Sequence, residues 1–446
     1  MPIYALVDGN SFYASCQIAF QPELAKRPVV VLSNNDGCIV AANQIAKNLD
    51  SPGNLGQGGY RAATPFSMMF QPYFKVAAML KKHNTAVFSS NYELYEDMSQ
   101  RMHAISAQFS FRQEIYSIDE SFLDFSGIPQ SKRHSHALEL KQRIQQWIGI
   151  PVAIGIGFSK TQAKLANNLA KKQANSQGVL DLTQCSELAL KNLYKKAKVG
   201  KVWGVGRKLA QKLEQQEIYS AYDLKIADAK SLKRRFSINL ERIILELNGQ
   251  ACLNFHEFPG SKQSIVSSRS FGTLVDDFAL MRQAVSHYTA TAAEKLRQQN
   301  SCCQAVSVFI TTPPHQQNQA QYNNQYTIPL VYPSDNTVLL SKIALRALQH
   351  IWQQGFYYQK ASVLLSNIKP KESLQIDLFA ANPKYSANAK SDQLMQTLDK
   401  INQQMGKKTL QLASSGLENK CWTMKRNLIS KRYTTCWQEL LTVQAN

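Results

Sequence analysis

The run Ile3-Tyr4-Ala5-Leu6-Val7 is apolar and rich in strand-favouring residues, and it stops abruptly at Asp8-Gly9-Asn10. A buried strand feeding a tight turn reads this way. The pattern recurs. Val29-Val30-Val31-Leu32 follows Pro28 and ends in Ser33-Asn34-Asn35-Asp36-Gly37, and Val152-Ala153-Ile154-Gly155-Ile156-Gly157 leads straight into helical spacing from Lys160 to Lys172. Tyr92 to Ala107 has helical periodicity, and Glu114 to Phe125 reads as two short strands meeting near Asp119-Glu120. Strands alternating with helices over the first 170 residues call for an α+β or α/β catalytic domain.

The chain has 446 residues, too many for one ordinary domain. With 44% hydrophobic and 18% charged residues it has globular composition, which excludes disorder throughout. Its net charge of +20 favours a polyanionic partner, nucleic acid or an anionic membrane surface. No stretch approaches the roughly 20 apolar residues of a spanning helix, and Met1 to Leu6 is too short for a secretory signal. A cytoplasmic protein is expected. The eight cysteines show no C-x-x-C pair and no zinc-like cluster, so free thiols are expected.

Charge is unevenly spread. From Lys160 to Lys212 there are twelve basic residues against two acidic ones, half of the chain's excess, in a stretch of helical patterning. Gly249 to Lys262 reads as a linker to a second β-containing unit with strands at Ala305–Thr311 and Ser362–Ile368 and helices at Met281–Gln299 and Thr337–Trp352. Residues from Lys371 on are polar with short apolar islands, and read as a tail or adaptor. The glycine-rich SPGNLGQGG between Asp50 and Gly59 reads as a surface loop; it lacks the G-K-[ST] ending of a phosphate-cradling loop.

Asp8, Asp119 and Glu120 all sit at strand ends. Singly, each is plausible as a turn former. Together, and with lysines downstream, they suit two-metal phosphoryl transfer, which needs hard oxygen ligands for Mg²⁺ and cations for a triphosphate. At this point the residues resemble a known family. Val7-Asp8-Gly9-Asn10-Ser11-Phe12-Tyr13-Ala14-Ser15-Cys16, Ser33-Asn34-Asn35-Asp36-Gly37-Cys38, Ser89-Ser90-Asn91-Tyr92-Glu93-Leu94-Tyr95 and Tyr116-Ser117-Ile118-Asp119-Glu120-Ser121-Phe122 are similar to the Y-family translesion DNA polymerases, in their UmuC-like branch. The likeness continues through Lys160 to Ala166, Trp203-Gly204-Val205-Gly206-Arg207, Ser268 to Gly272 and Arg432-Tyr433-Thr434-Thr435, and so covers nearly the whole chain.

The resemblance implies an α+β, right-hand polymerase: a ferredoxin-like palm (1–22 and 78–166), fingers (23–77), a helical thumb (167–248), a linker (249–262), an α/β little finger (263–368) and a polar C-terminal tail (369–446). It implies that Asp8, the Gly9 carbonyl, Asp119 and Glu120 hold two Mg²⁺ ions. Tyr13 becomes the steric gate against a ribose 2′-hydroxyl, with Phe12 packed beneath the nucleotide, and Lys47, Lys160 and Lys164 become triphosphate contacts. Asp124, at the far end of its strand, reads as structural.

Two departures lie in the fingers: Ala42 stands where relatives carry Arg before the position of Asn43, and the 50–59 loop replaces a shorter turn. Val202 to Leu213 matches a helix-hairpin-helix, in which Gly204 and Gly206 let backbone N–H groups approach a phosphate and Arg207, Lys208 and Lys212 supply counter-charge. Arg269 is expected on the DNA backbone. Gln375, Leu378 and Phe379 resemble the peptide that docks in the sliding clamp. By the same resemblance the partners are primer-template DNA, dNTPs, the sliding clamp, a UmuD′-type dimer and a RecA filament, and the activity is low-fidelity synthesis across damage in the SOS response. The alternative is a regulatory DNA-binding relative that polymerises poorly; a second palm-fold reading, a nucleotide cyclase, leaves the hairpin and the clamp peptide unexplained.

Overall fold

The computed structural model describes residues 1–49, 67–255, 260–315, 320–373, 389–406, 409–416 and 422–442. The 50–59 loop and the clamp-like residues Gln375, Leu378 and Phe379 lie outside them. The chain divides into two compact units, one from Met1 to the linker that takes up the chain again from Asn427, the other from Pro259 to Arg426.

In the first unit the order is β1 (Tyr4–Gly9), α1 (Phe12–Phe20), β2 (Val29–Leu32), β3 (Ile39–Ala42), α2 (Gln44–Asn48), α3 (Tyr73–Lys82), β4 (Ala86–Ser89), α4 (Tyr92–Ala107), β5 (Gln113–Ile115) and β6 (Glu120–Asp124). Then come α5 (Gln130–Ile148), β7 (Val152–Gly157), α6 (Lys160–Ala170), β8 (Val179–Asp181) and, in the stretch expected as thumb, α7 (Glu187–Lys196), α8 (Arg207–Glu214), α9 (Ala221–Ile226), α10 (Ala229–Arg235) and α11 (Ile238–Leu247). The palm sheet runs β5-β6-β1-β7-β8, with β1 antiparallel to both neighbours.

Strand periodicity decides where the acids go. Ala5 and Val7 share a core with Leu94 and Met98 of α4 and Leu140 and Ile144 of α5. Tyr4 and Leu6 instead join Phe122 and Ala163 on the opposite face, under α6. Alternation at period two carries Asp8 onto that α6 face, and its register partner across β6 is Glu120. The helix comes very close to the sheet: a Cβ on Gly155 of β7 would lie 2.2 Å from the Ala163 carbonyl oxygen and from the Asn167 nitrogen, so only glycine admits this packing. Ser159 caps α6, its side chain accepting from the Gln162 backbone N–H.

A smaller sheet, β3-β2-β4, begins in the stretch expected as fingers. Its β4 pairs parallel to β2, although residues from 78 on are expected in the palm. A parallel pair needs a crossover, supplied here by α3, and such a pairing is invisible in local sequence. Likewise β8 extends the palm sheet from within the stretch expected as thumb. The thumb helices close on their own core, including Val202, Val205, Leu213, Leu240 and Ile244.

Asn427 to Thr442 returns to this unit as a strap. Asn91, fully buried at the N-cap of α4, donates through its side-chain amide to the Ser430 carbonyl (3.1 Å) and the Lys431 carbonyl (3.2 Å). The Ser89 N–H donates to the Leu428 carbonyl at 2.9 Å, and Asp36 accepts from the Asn427 N–H at 2.9 Å. Tyr433 is 6% exposed, stacks on Phe20 with centroids 4.8 Å apart and receives a 2.6 Å hydrogen bond from Gln21.

The second unit contains β9 (Ile265–Val275), α12 (Phe278–Gln298), β10 (Ser301–Thr311), β11 (Asn323–Ser334), α13 (Thr337–Ile351) and β12 (Tyr358–Ser366). Its sheet order is β11-β10-β12-β9, packed on α12 and α13. Beyond residue 388, where a polar tail is expected, α14 (Ala389–Gln404) buries Met395 and ties to α12 through Arg297, which grips both oxygens of Asp399 at 2.6 and 2.7 Å. Trp422, 3% exposed, packs against Tyr288 and His287. The apolar islands of this region are therefore docking points, too widely spaced to register as a periodic element.

Candidate active site

Three strand or turn positions gather the acids. Asp8 is the next-to-last residue of β1, Glu120 opens β6, and Asp119 precedes it in the turn, where its carbonyl accepts the Gly9 N–H at 2.8 Å. That bond sews the two strand ends together. The Ser117 hydroxyl holds the Asp119 carboxylate at 2.6 Å. The buried His103 ring in turn lies 3.2 Å from the Ser117 carbonyl. Asp124 lies at the other end of β6, opposite Tyr4, away from this group.

Lysines of α6 face the acids in a row. Lys160, Lys164 and Lys171 are spaced i, i+4 and i+11, and at about 100° per residue they fall within roughly 40° of arc. Each meets an acid on a different, adjacent strand: Lys160 with Glu114 of β5 (2.6 Å), Lys164 with Glu120 of β6 (2.9 Å) and Lys171 with Asp8 of β1 (2.6 Å). Burial pushes the Asp8 carboxyl up to about 6; Lys171 opposes the rise, and Glu120 and Asp119 add to it. The Lys171 ammonium thus only partly offsets the cost of keeping Asp8 charged in this buried, acidic place.

Lys160 departs from expectation. It is 2% exposed, its ammonium is taken up by Glu114 and the Asn254 carbonyl, and the rings of Phe122 and Phe255 cover it. A side chain so enclosed serves the joint between α6 and the sheet, and cannot reach a nucleotide. Lys171 is the residue missed by sequence reasoning, because Lys171-Lys172 looks like an ordinary solvated helix end. The i, i+4, i+11 stripe was the signal that could have found it. Lys164 is 14% exposed and bridges both oxygens of Glu120.

Lys47 of α2 donates to the Ser11 hydroxyl at 2.9 Å, and its ammonium pKa is lowered by burial and by Lys171, against the pull of Asp8. It therefore faces the same space as Lys171. Asn43 fixes α2 beneath it, accepting from the Val29 and Ala46 N–H groups and donating to the Arg27 carbonyl. Ala42, beside it, is buried in the fingers core. Phe12 is buried at the start of α1, and Tyr13 next to it lies flat on Tyr95, centroids 4.4 Å apart at 13°, with Tyr92 edge-on at 6.1 Å.

The hairpin glycines sit in the turn that leads into α8. Gly204 has φ +88°, and a Cβ there would lie 2.7 Å from Ile243 Cδ1. Gly206 caps α8 without a side-chain bond, and Arg207, Lys208 and Lys212 are exposed beside it. Arg269, in the second unit, is exposed on β9.

Among the described residues, no three His, Cys, Asp or Glu side chains stand close enough to share a metal ion. Asp8 and Glu120 are turned to their lysines and Asp119 to Ser117. The chemistry of the set nonetheless fits a hard divalent cation, which takes carboxylate and carbonyl oxygens: Asp8 and Glu120 are register partners on the α6 face, and Asp119 lies in the turn beside them. The described cysteines carry free thiols, and no described helix is long and apolar enough to cross a membrane.

Comparison with known proteins adds the following. The impB/mucB/samB family model matches residues 7–50 and 67–168, that family's C-terminal domain matches 262–378, and a domain of unknown function, DUF4113, matches 392–443. Protein UmuC of Salmonella typhimurium (strain LT2) is 40% identical over 445 residues, covering 99% of this chain and 100% of the relative. Protein MucB of Escherichia coli is 39% identical, covering 98% of this chain and 99% of the relative. DNA polymerase IV 1 of Bacillus subtilis is 26% identical, with 91% of each chain covered. Among solved structures, the Y-family DNA polymerase chimera Dbh-Dpo4(243-245)-Dbh superposes with a TM-score of 0.61 at 18% identity, covering 82% of this chain and 99% of that one.

Proposed function

Because this chain belongs to the impB/mucB/samB family and is a DNA-directed DNA polymerase of the Y-family, acting in translesion synthesis during the SOS response, we propose that Asp8, Asp119 and Glu120 are its catalytic carboxylates. The observation that supports this most is the register pair Asp8 and Glu120, with Asp119 sewn between them and lysines opposite. The regulatory, poorly polymerising alternative is not favoured.

Asp8, the Gly9 carbonyl, Asp119 and Glu120 would hold two Mg²⁺ ions. When bound, these supply Lewis-acid activation of the primer 3′-hydroxyl and charge neutralisation on the leaving pyrophosphate. The chain's own residues then do the following. Ser117 orients Asp119. Lys171 exchanges Asp8 for the incoming triphosphate, joined by Lys47 and Lys164, since like-charged ammonium groups in one space are relieved by a polyanion. Tyr13 presents its ring to the sugar and excludes a 2′-hydroxyl, with Phe12 beneath it. Gly204, Gly206, Arg207, Lys208, Lys212 and Arg269 grip phosphates of primer-template DNA.

Gln375, Leu378 and Phe379 would engage the sliding clamp, the apolar pair filling a pocket and the Gln its edge. A UmuD′-type dimer and a RecA filament complete the proposed partners, in the cytoplasm. Primer extension tests the centre: Asp119→Asn should abolish it while DNA binding persists, and retained extension would remove the assignment.

A further inference from the structure

One side chain of the thumb hairpin leaves the thumb core for the palm. Val202 and Val205 are buried among the thumb helices, and a Cβ on Gly204 would lie 2.7 Å from Ile243 Cδ1, so the hairpin backbone on both sides of Trp203 moves with those helices as one piece. The Trp203 ring points the other way. Its indole N–H donates to the Tyr116 hydroxyl at 3.2 Å, its ring stands at 90° to Tyr116 with centroids 5.5 Å apart, and Phe122 of β6 lies 6.1 Å away.

Between these rings lies the Lys164 ammonium, 4.3 Å from the Tyr116 centroid and 5.3 Å from that of Trp203. Cation–π attraction holds an ammonium against such faces. The same ammonium bridges both oxygens of Glu120, at 3.0 and 2.9 Å. A continuous set of contacts therefore runs from the hairpin proposed above to grip DNA, through Tyr116 and Lys164, to the Glu120 carboxylate.

We infer that Trp203 is a positioning residue that couples engagement of duplex DNA by the hairpin to the Glu120 carboxylate, through Tyr116 and Lys164; this rests on the reading of Asp8, Asp119 and Glu120 as the catalytic carboxylates. A hairpin drawn onto a phosphate shifts the indole, and the indole sets how far Lys164 can swing from Glu120 toward a triphosphate. Without duplex, the caged lysine stays on the carboxylate. With duplex, it is released to the nucleotide.

The test is single-turnover primer extension by the full chain, with DNA affinity and the maximal rate measured separately. Trp203→Leu should lower the maximal rate about tenfold while DNA affinity changes less than about twofold. Trp203→Phe, which keeps a ring over Lys164, should recover most of the rate. In a Lys164→Met background, Trp203→Leu should have no further effect. The inference is overturned if Trp203→Leu weakens DNA binding as much as it slows the reaction, or if it slows the Lys164→Met enzyme by the same factor as the parent. Should Trp203→Leu fail to fold, Trp203→Met, which fills the space without a ring, decides by the same comparison with and without Lys164→Met. Full activity of Glu120→Gln would instead remove the underlying carboxylate reading, a result distinct from a failure of coupling.

Discussion

Tyr13 lies flat against Tyr95, and the Tyr95 hydroxyl is held from below by the Gln17 amide at 2.9 Å. A ring backed in this way cannot retreat from a ribose. Tyr13→Ala should therefore admit ribonucleotides, raising the ratio of ribo- to deoxyribonucleotide kcat/KM by about a hundredfold, on the scale of an introduced steric clash worth a few kcal/mol. Unchanged sugar discrimination would remove the gate role.

Lys171 carries the second expectation. Its ammonium is the one set on Asp8, and the loss of a charge-assisted contact of about 1.5–3 kcal/mol should raise the KM for dNTP roughly 10- to 100-fold in Lys171→Ala. DNA affinity should stay near that of the parent. Steady-state kinetics over a dNTP titration checks both, and an unaltered KM would place the triphosphate elsewhere.

Charge at the hairpin should show in salt dependence. If Arg207 and Lys208 each neutralise one phosphate, replacing either by Ala flattens the slope of log affinity against log salt by about 1, uniformly across sequences. Fluorescence anisotropy on a primer-template measures it. A slope equal to the parent's would take these residues off the DNA.

The strap depends on Asn91. In Asn91→Ala, α4 loses its N-cap and strap carbonyls lose a buried donor, so unfolding of the first unit should become about 2–4 kcal/mol easier. Thermal and urea unfolding of the full chain reads this directly. A variant as stable as the parent would make the strap an ornament on the surface.

Much of the palm was legible because its signals are local. An apolar run cut off by Asp-Gly announces a buried strand and its end, and the alternation that buries Leu6 also brings Asp8 out beside α6. Lys171 was not legible by itself: its meaning comes from a stripe shared with Lys160 and Lys164, and that stripe matters only once three adjacent strands are known to present Glu114, Glu120 and Asp8. Lys160 reads like Lys164 in sequence, but two rings closing over it separate the two roles. The Trp203–Tyr116 contact joins residues 87 apart and leaves no periodic trace. Nor do the strap's bonds at Asn91, Ser89 and Asp36, which use backbone carbonyls and an N–H that every residue of the strap could offer.

That strap also fixes an order of events during synthesis. Asn91 leaves the ribosome 339 residues before the Ser430 carbonyl that it holds, an interval of roughly 20–70 s at 5–20 residues per second. Throughout that time the socket formed by Asp36, Ser89 and Asn91 stands open, while the palm and thumb can already collapse and the second unit is still being made. The nascent enzyme is thus finished from its far end, and a message broken before codon 427 would yield a polymerase-shaped fragment with that socket empty.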